Sequence, residues 1–344
     1  MKRISIVDFW KFVAAILIMI HHLYHLGNPF TGEYFGKFTW IFVEFFFIIS
    51  GYFTYSHFSK NSSRDNIFKS GLKYTFTKFS PFIPYTTVVI SLQYVVSAPY
   101  SLLYNRNFKG FFTHFINYPL EVMLIGEVHQ SYQLLAPIWF LSSMLLVFPI
   151  FSFLCQMKNK YLLLTISGMY SLFYYGQVQL CNRIWPDDML RALAGMLTGV
   201  SVCIITDLIK EKCRIKKESY TSITFIECIS MFFVLFATIF NLTSLTNWVL
   251  ISFVLGLGAM LSGYSFSSRI HSSFMPFLGK ISMPIFIWHW FVATLINRIN
   301  NIIELSIPTR LLLYFGGTIT ISILSYLFVN MIIRQRKLKH TVNL

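Results

Sequence analysis

Long apolar runs alternate along this chain with short polar and mostly basic connections. The runs cover roughly 4–26, 38–57, 79–98, 134–155, 160–178, 189–209, 222–241, 245–266, 278–297 and 309–333. Each is long enough to cross a hydrocarbon core of about 30 Å as a helix. In lipid a segment must satisfy its own backbone hydrogen bonds, so the runs are expected to be helical. The pattern predicts an all-α, polytopic membrane protein of about ten transmembrane helices. No soluble domain is expected, and 1–344 reads as a single membrane-embedded domain. The first run is too long and too rich in ionisable residues for a cleaved signal peptide, and it lacks a small-residue cleavage site.

The connections differ from one another. Within 99–133, Phe108, Phe111, Phe112, Phe115 and Ile116 are interspersed with Lys109 and His114, which suggests a short helix lying on the outer leaflet. The segment 58–78 reads as a basic, polar loop with Asn61–Asn66 as its turn-rich centre, and 210–219 as a short charged linker.

Composition agrees with the pattern: 55% of residues are hydrophobic, 18% aromatic and only 12% charged, against roughly 25% charged in soluble domains. The net charge of +15 raises the question of nucleic acid, and its distribution answers it. With the connections numbered alternately from a cytoplasmic N-terminus, 20 of the 28 Lys and Arg fall on the inner side and 6 on the outer, with Lys11 and Arg191 inside spans. That bias follows the positive-inside rule and puts both termini in the cytoplasm, beside anionic lipid rather than nucleic acid. The five cysteines form no CxxC and no metal-ligand spacing, so neither a metal nor a disulfide framework is expected.

Ionisable residues at membrane depth are costly and mark function or a partner. The first span carries Asp8, Lys11, His21, His22 and His25. Lys11 and His22 are eleven residues apart, three helical turns plus about 20°, so they project from one face about 16 Å apart along the axis. His25 follows one turn later on nearly that face, and His21 points about 100° away. The second span holds a lone carboxylate, Glu44, in Phe42–Tyr52. It is expected at the depth of His22, where it would fix the tautomer of the ring and stabilise its charged form. Ser50 and Gly51 form a small-residue pair suited to close helix packing. Arg191, near Asp187 and Asp188, reads as an interface anchor or local ion pair, with acceptor binding as the alternative.

Five stretches in order carry a resemblance. Asp8-Phe9-Trp10-Lys11 with His22 resembles the first-span motif of the acyltransferase-3 family of membrane acyltransferases. Glu44 through Ser50-Gly51-Tyr52 is similar to its second-span motif of an acid, aromatics and Ser-Gly-aromatic. Lys73 and Lys78-Phe79-Ser80-Pro81 resemble the basic segment ending in Pro, Trp139-Phe140-Leu141-Ser142 the Trp-aromatic-Leu-Ser element, and Ile281-Ser282 through His289 the late Ile-Ser…His segment. Lys11 and Lys78 stand where the family commonly has Arg, Thr75 where a second basic residue often occurs, and Met144 where many members have Glu.

The resemblance implies transfer of an acyl group, usually acetyl, from cytoplasmic acyl-CoA to a hydroxyl of a bacterial surface polysaccharide or its lipid-linked precursor, at the plasma membrane. His22 would be the general base and Glu44 its orienting partner. Lys73 and Lys78, together with Lys11, would hold the phosphates of acetyl-CoA. Ser50, Trp139, Arg191 and His289 are candidates to line the cavity between them. A transporter or flippase of a lipid-linked oligosaccharide shares the spans, the basic face and the buried His and Glu, and is the alternative.

Overall fold

The computed structural model describes residues 4–27, 35–60, 66–103, 106–126, 134–177, 187–212 and 219–342. Lys2, Arg3, the Asn61–Asp65 turn, Cys181, Arg183, Cys213, Arg214, Lys216 and Lys217 lie outside them. The described chain is built from twelve helices: α1 (Ser5–His21), α2 (Phe42–Lys60), α3 (Ile67–Phe79), α4 (Ile83–Leu103), α5 (Phe108–Val122), α6 (Trp139–Leu154), α7 (Lys160–Gln177), α8 (Asp187–Lys212), α9 (Ser219–Ile239), α10 (Thr246–Ser262), α11 (Met275–Asn300) and α12 (Ile307–Val342).

Eight of these are long and apolar enough to cross a membrane on their own, counting short 3-10 extensions. The pair α3 and α4, bent by 56°, makes a ninth if it crosses as one unit. Helix α7, over the fifth expected span, is not among them by composition, yet it runs the length of α8 in the opposite direction. Lys160 Nζ meets Glu211 Oε2 at 2.8 Å near one end, and Tyr174 Oη donates to Asp187 Oδ1 at 2.8 Å near the other. Its outer face is apolar, with Leu172 78% exposed. Among the described residues, eight or nine units therefore qualify as spans by length and composition, and α7 lies antiparallel beside α8 in the same bundle. Exposed phenylalanines and leucines along α9 and α12 face outward in the same way, as Phe232 and Leu312 do. In water such a surface would be an association hazard; toward lipid tails it carries no penalty.

The direction of each helix follows from its contacts. Asp8 packs against Gly279, His22 against His289 and His25 against Trp290, so α1 and α11 run parallel. Glu44 meets Arg191 and Gly51 meets Met196, so α2 and α8 run parallel as well. Thr39 Oγ1 donates to Leu17 O at 2.6 Å, while Lys11 lies over the Phe53 ring, so α2 runs back along α1.

Small residues set the closest crossing. A methyl group on Gly51 would overlap the Met196 carbonyl, and one on Gly199 would overlap the Ile48 carbonyl. Gly195 sits one turn earlier, where a Cβ would lie 2.5 Å from that of Phe47. Gly195 and Gly199 make a G-x-x-x-G stripe that lets the α2 and α8 backbones touch.

Two connections have more structure than a loop. The segment expected as a polar loop contains α3, capped by Asn66, whose side chain accepts from Phe68 N at 2.9 Å. Gly71, Thr75 and Phe79 recur every four residues and bury one face, with Gly71 packed against Ser152 of α6. Helix α5 confirms the helix expected in 99–133. Phe108, Phe112, Phe115 and Ile116 are exposed along one face, and Gly110, Asn117 and Glu121 are buried on the other. Beyond it, the Glu121 carboxylate accepts from Leu134 N at 2.5 Å and Leu135 N at 3.1 Å, tying the next segment down. Met144 is 3% exposed and fills the apolar core.

Candidate active site

Helix α1 ends at His21, and the chain tightens into a 3-10 turn over His22–Leu26. In such a turn residues three apart eclipse, so His22 and His25 project to one side. That side meets α11. The His22 ring stacks on that of His289 at 5.2 Å and 26°, and the Trp290 indole meets it edge-on at 5.2 Å. His25 stacks on Trp290 at 4.2 Å and 16°. His21 turns elsewhere: its Nδ1 donates to Lys37 O at 2.7 Å, although its ring still touches that of His22 edge-on. The different facing expected for His21 and His22 is what the contacts show.

The two stacked rings differ in access. His289 is fully buried, donates from Nδ1 to Ile285 O at 3.3 Å, and leaves Nε2 without a hydrogen-bond partner. His22 is half-buried, with Nδ1 3.3 Å from the Tyr24 hydroxyl. A proton held between Nδ1 and Tyr24 leaves the His22 Nε2 lone pair as the basic atom, and this is the tautomer a general base needs.

The expected partnership of Glu44 with His22 is corrected. Glu44 is 1% exposed and faces α8: Arg191 Nε donates to its Oε1 at 2.5 Å, and the Tyr175 hydroxyl donates to its Oε2. The Arg191 guanidinium lies between two indoles, 4.9 Å from the Trp40 ring and 5.2 Å from that of Trp139. Arg191, read from sequence as an interface anchor or a local ion pair near Asp187 and Asp188, is the counter-ion of Glu44. The α2–α8 glycine contact brings Glu44 against α8 and away from α1, with Gly195 close to the carboxylate. Ser50, 6% exposed and with Oγ unbonded, lies on the same helix beside Gly51.

At the other end of α1, Lys11 Nζ reaches Asp8 Oδ1 at 3.4 Å. Lys78 is half-buried within electrostatic range of Lys11. Lys73 is exposed and points about 140° around α3 from Lys78, so the three lysines do not form one cluster. Lys11 and Lys78 are within electrostatic range of one another, and His22 is in ring contact with His289. Trp139 belongs with Arg191. Sequence reasoning missed Trp40, Tyr175, Tyr24 and Trp290; only the G-x-x-x-G stripe at Gly195 and Gly199 signalled that α8 lies against α2.

An all-helical, polytopic membrane protein with histidines packed together where the parallel helices α1 and α11 meet is the class these features define. The family model described as an acyltransferase domain, Acyl_transf_3, matches residues 4–328. The chain belongs to this acyltransferase-3 family. Neither a curated protein nor a solved structure matches it.

Proposed function

We propose that this membrane acyltransferase moves an acetyl group from cytoplasmic acetyl-CoA to a hydroxyl of a cell-surface polysaccharide sugar or its lipid-linked precursor. The observation that carries the reading is the placement of Lys11 within α1 and of His22 just past its end, with Lys78 within electrostatic range of the first and the His289 ring stacked on the second. The charge-bearing phosphates of the donor suit the lysine end, with Lys73 as an outlying contact. The pantetheine arm is thin enough to carry the thioester along α1 toward the histidine end.

His22 takes the proton of the acceptor hydroxyl as its oxygen attacks the thioester carbonyl. The new C–O bond forms, the C–S bond breaks, and the proton passes from His22 to the departing thiolate. With no carboxylate bonded to it among the described residues, His22 has the rings of His289 and Trp290 as its packing partners. The basic bias of the connections supports an orientation with Lys11, Lys78 and both chain termini toward the cytoplasm and the histidines toward the outside.

The test is purified chain in lipid nanodiscs with radiolabelled acetyl-CoA and extracted surface glycan. Label appearing in glycan, and not with His22→Ala, supports the reading. Glycan crossing a sealed vesicle without acyl-CoA, and no label in it, overturns it in favour of transport.

A further inference from the structure

Helices α4 and α11 run parallel, and beside His25 their facing residues are polar. Trp290, Thr294 and Arg298 recur every four residues and form one stripe of α11. From α4, Gln93 Nε2 donates to Thr294 Oγ1 at 3.3 Å and to Ser97 Oγ at 3.1 Å. One turn further on, Tyr100 lies under Arg298, whose Cζ is 3.4 Å from the ring centroid. Thr294 Oγ1 is also 3.2 Å from His25 Nε2. The stripe begins at Trp290, which touches both His22 and His25.

Two polar atoms along it lack hydrogen-bond partners. Gln93 is 3% exposed and its Oε1 has no hydrogen bond. Turning the amide over would only exchange which of its two polar atoms is left. Arg298 Nε is buried and unbonded, and among the described residues no carboxylate pairs with this guanidinium. Buried polar atoms are ordinarily satisfied, and a guanidinium recognises phosphate or carboxylate through paired N–H bonds. These unsatisfied polar atoms, on a stripe that starts at Trp290 beside His22, are groups that a polar ligand would satisfy.

We propose that the polar α4–α11 seam is the acceptor subsite, opening to admit it, and that the acceptor is a sugar chain carrying an anionic group, a phosphate or a carboxylate. This rests on the acyl-transfer reading above. The reacting sugar packs against Trp290 with its hydroxyl at His22. Gln93 Oε1 accepts a hydroxyl of the chain, and Arg298 holds the anion. Eight residues of helix separate Trp290 from Arg298, about 12 Å along the axis. That exceeds one sugar ring, so the anion belongs to the neighbouring unit or to the linkage phosphate.

The experiment measures acceptor binding separately from transfer, on the full chain in nanodiscs. The probes are a neutral N-acetylglucosamine oligosaccharide, the same oligosaccharide with a terminal phosphate, and one ending in a uronate. The wild-type chain should bind at least one charged probe about tenfold or more tighter than the neutral one. Arg298→Ala should erase that preference, Arg298→Lys should keep part of it, and Gln93→Ala should weaken all three probes alike. Acetyl-CoA binding, unchanged in each variant, reports that the fold is intact. Preference for phosphate over uronate, or the reverse, identifies the anion. Equal binding of charged and neutral probes by the wild-type chain, or a preference that survives Arg298→Ala, overturns the proposal. A preference that depends on Arg298 without any transfer of label supports the seam as the subsite and sinks the acyl-transfer reading instead.

Discussion

Glu44 and Arg191, 147 residues apart in sequence, form a buried ion pair at 2.5 Å that joins α2 to α8. The Tyr175 hydroxyl completes the carboxylate, and Trp40 and Trp139 cover the guanidinium. Breaking such a pair from one side leaves an uncompensated charge in a dry interior, which costs about 3–5 kcal/mol. Glu44→Ala and Arg191→Ala should each lower the melting temperature of the purified chain markedly. A double replacement by leucine and methionine should be less damaging than either single change. Strictly additive losses in the melts would show that the pair does not hold these helices together.

The glycine contact between the same two helices makes a separate prediction. Gly51→Ala and Gly199→Ala each drive a methyl group into a backbone carbonyl, and overpacking of this kind costs about 1–3 kcal/mol or more. Gly168 and Gly176 of α7 have nothing within 4 Å of an added Cβ, so alanine there should be neutral or mildly stabilising. Thermal melts of the four variants are enough to check the contrast.

The spans were legible because a bilayer demands apolar runs, and the separation of Lys11 from His22 because both lie on or at the end of one helix. Helix α3 was not legible because only Gly71, Thr75 and Phe79 are buried along it, a stripe too small and too weakly apolar to stand out against three lysines. The partner of Glu44 was not legible for a different reason. A helical wheel fixes the face a residue occupies but not which neighbour covers that face. Chain order made α1 the obvious neighbour of α2, whereas glycine spacing on α8, visible at Gly195 and Gly199, decided the packing. His289 could be placed on its helix by pattern, but stacking beneath His22 depends on the parallel run of α1 and α11.

Glu121 gives a pH dependence. Its burial at 1% exposure pushes the carboxyl up from 4.5 to about 7, against the opposing effect of the two amides it accepts from. A folded-state value above the unfolded one means that the folded chain binds more protons. The contribution to stability is therefore fully present below about pH 4.5 and is lost as pH rises through about 7. The full span amounts to about 3 kcal/mol. Protection of the Leu134 and Leu135 amides from hydrogen exchange, corrected for intrinsic rate, should fall between pH 5 and pH 8 in the native chain. Glu121→Gln, which cannot ionise, should flatten the dependence; an unchanged slope would place its origin elsewhere.

The two adjacent histidines provide the sharpest test of the chemistry. His22 stacks on His289, is half-buried and has its Nδ1 beside the Tyr24 hydroxyl, while His21 is tied through Nδ1 to the Lys37 carbonyl. A positioned general base contributes about 10²–10⁴-fold in rate, so His22→Ala should nearly abolish acyl transfer with acetyl-CoA binding unaltered. His21→Ala removes one backbone hydrogen bond, worth about 0.5–1.5 kcal/mol of stability, and should leave most of the rate intact. Tyr24→Phe keeps the ring contact but removes the hydroxyl that favours the Nε2 lone pair, so it should lower kcat and leave the donor KM unchanged. Glu44→Gln should act mainly on stability, since its bonds run to Arg191 and Tyr175 rather than to His22. Steady-state kinetics on these four variants, each with a melting curve, separates the roles. An inactive His21→Ala beside an active His22→Ala would move the base to the other side of α1, and a Glu44→Gln chain that is fully stable but dead would restore the carboxylate to the chemistry.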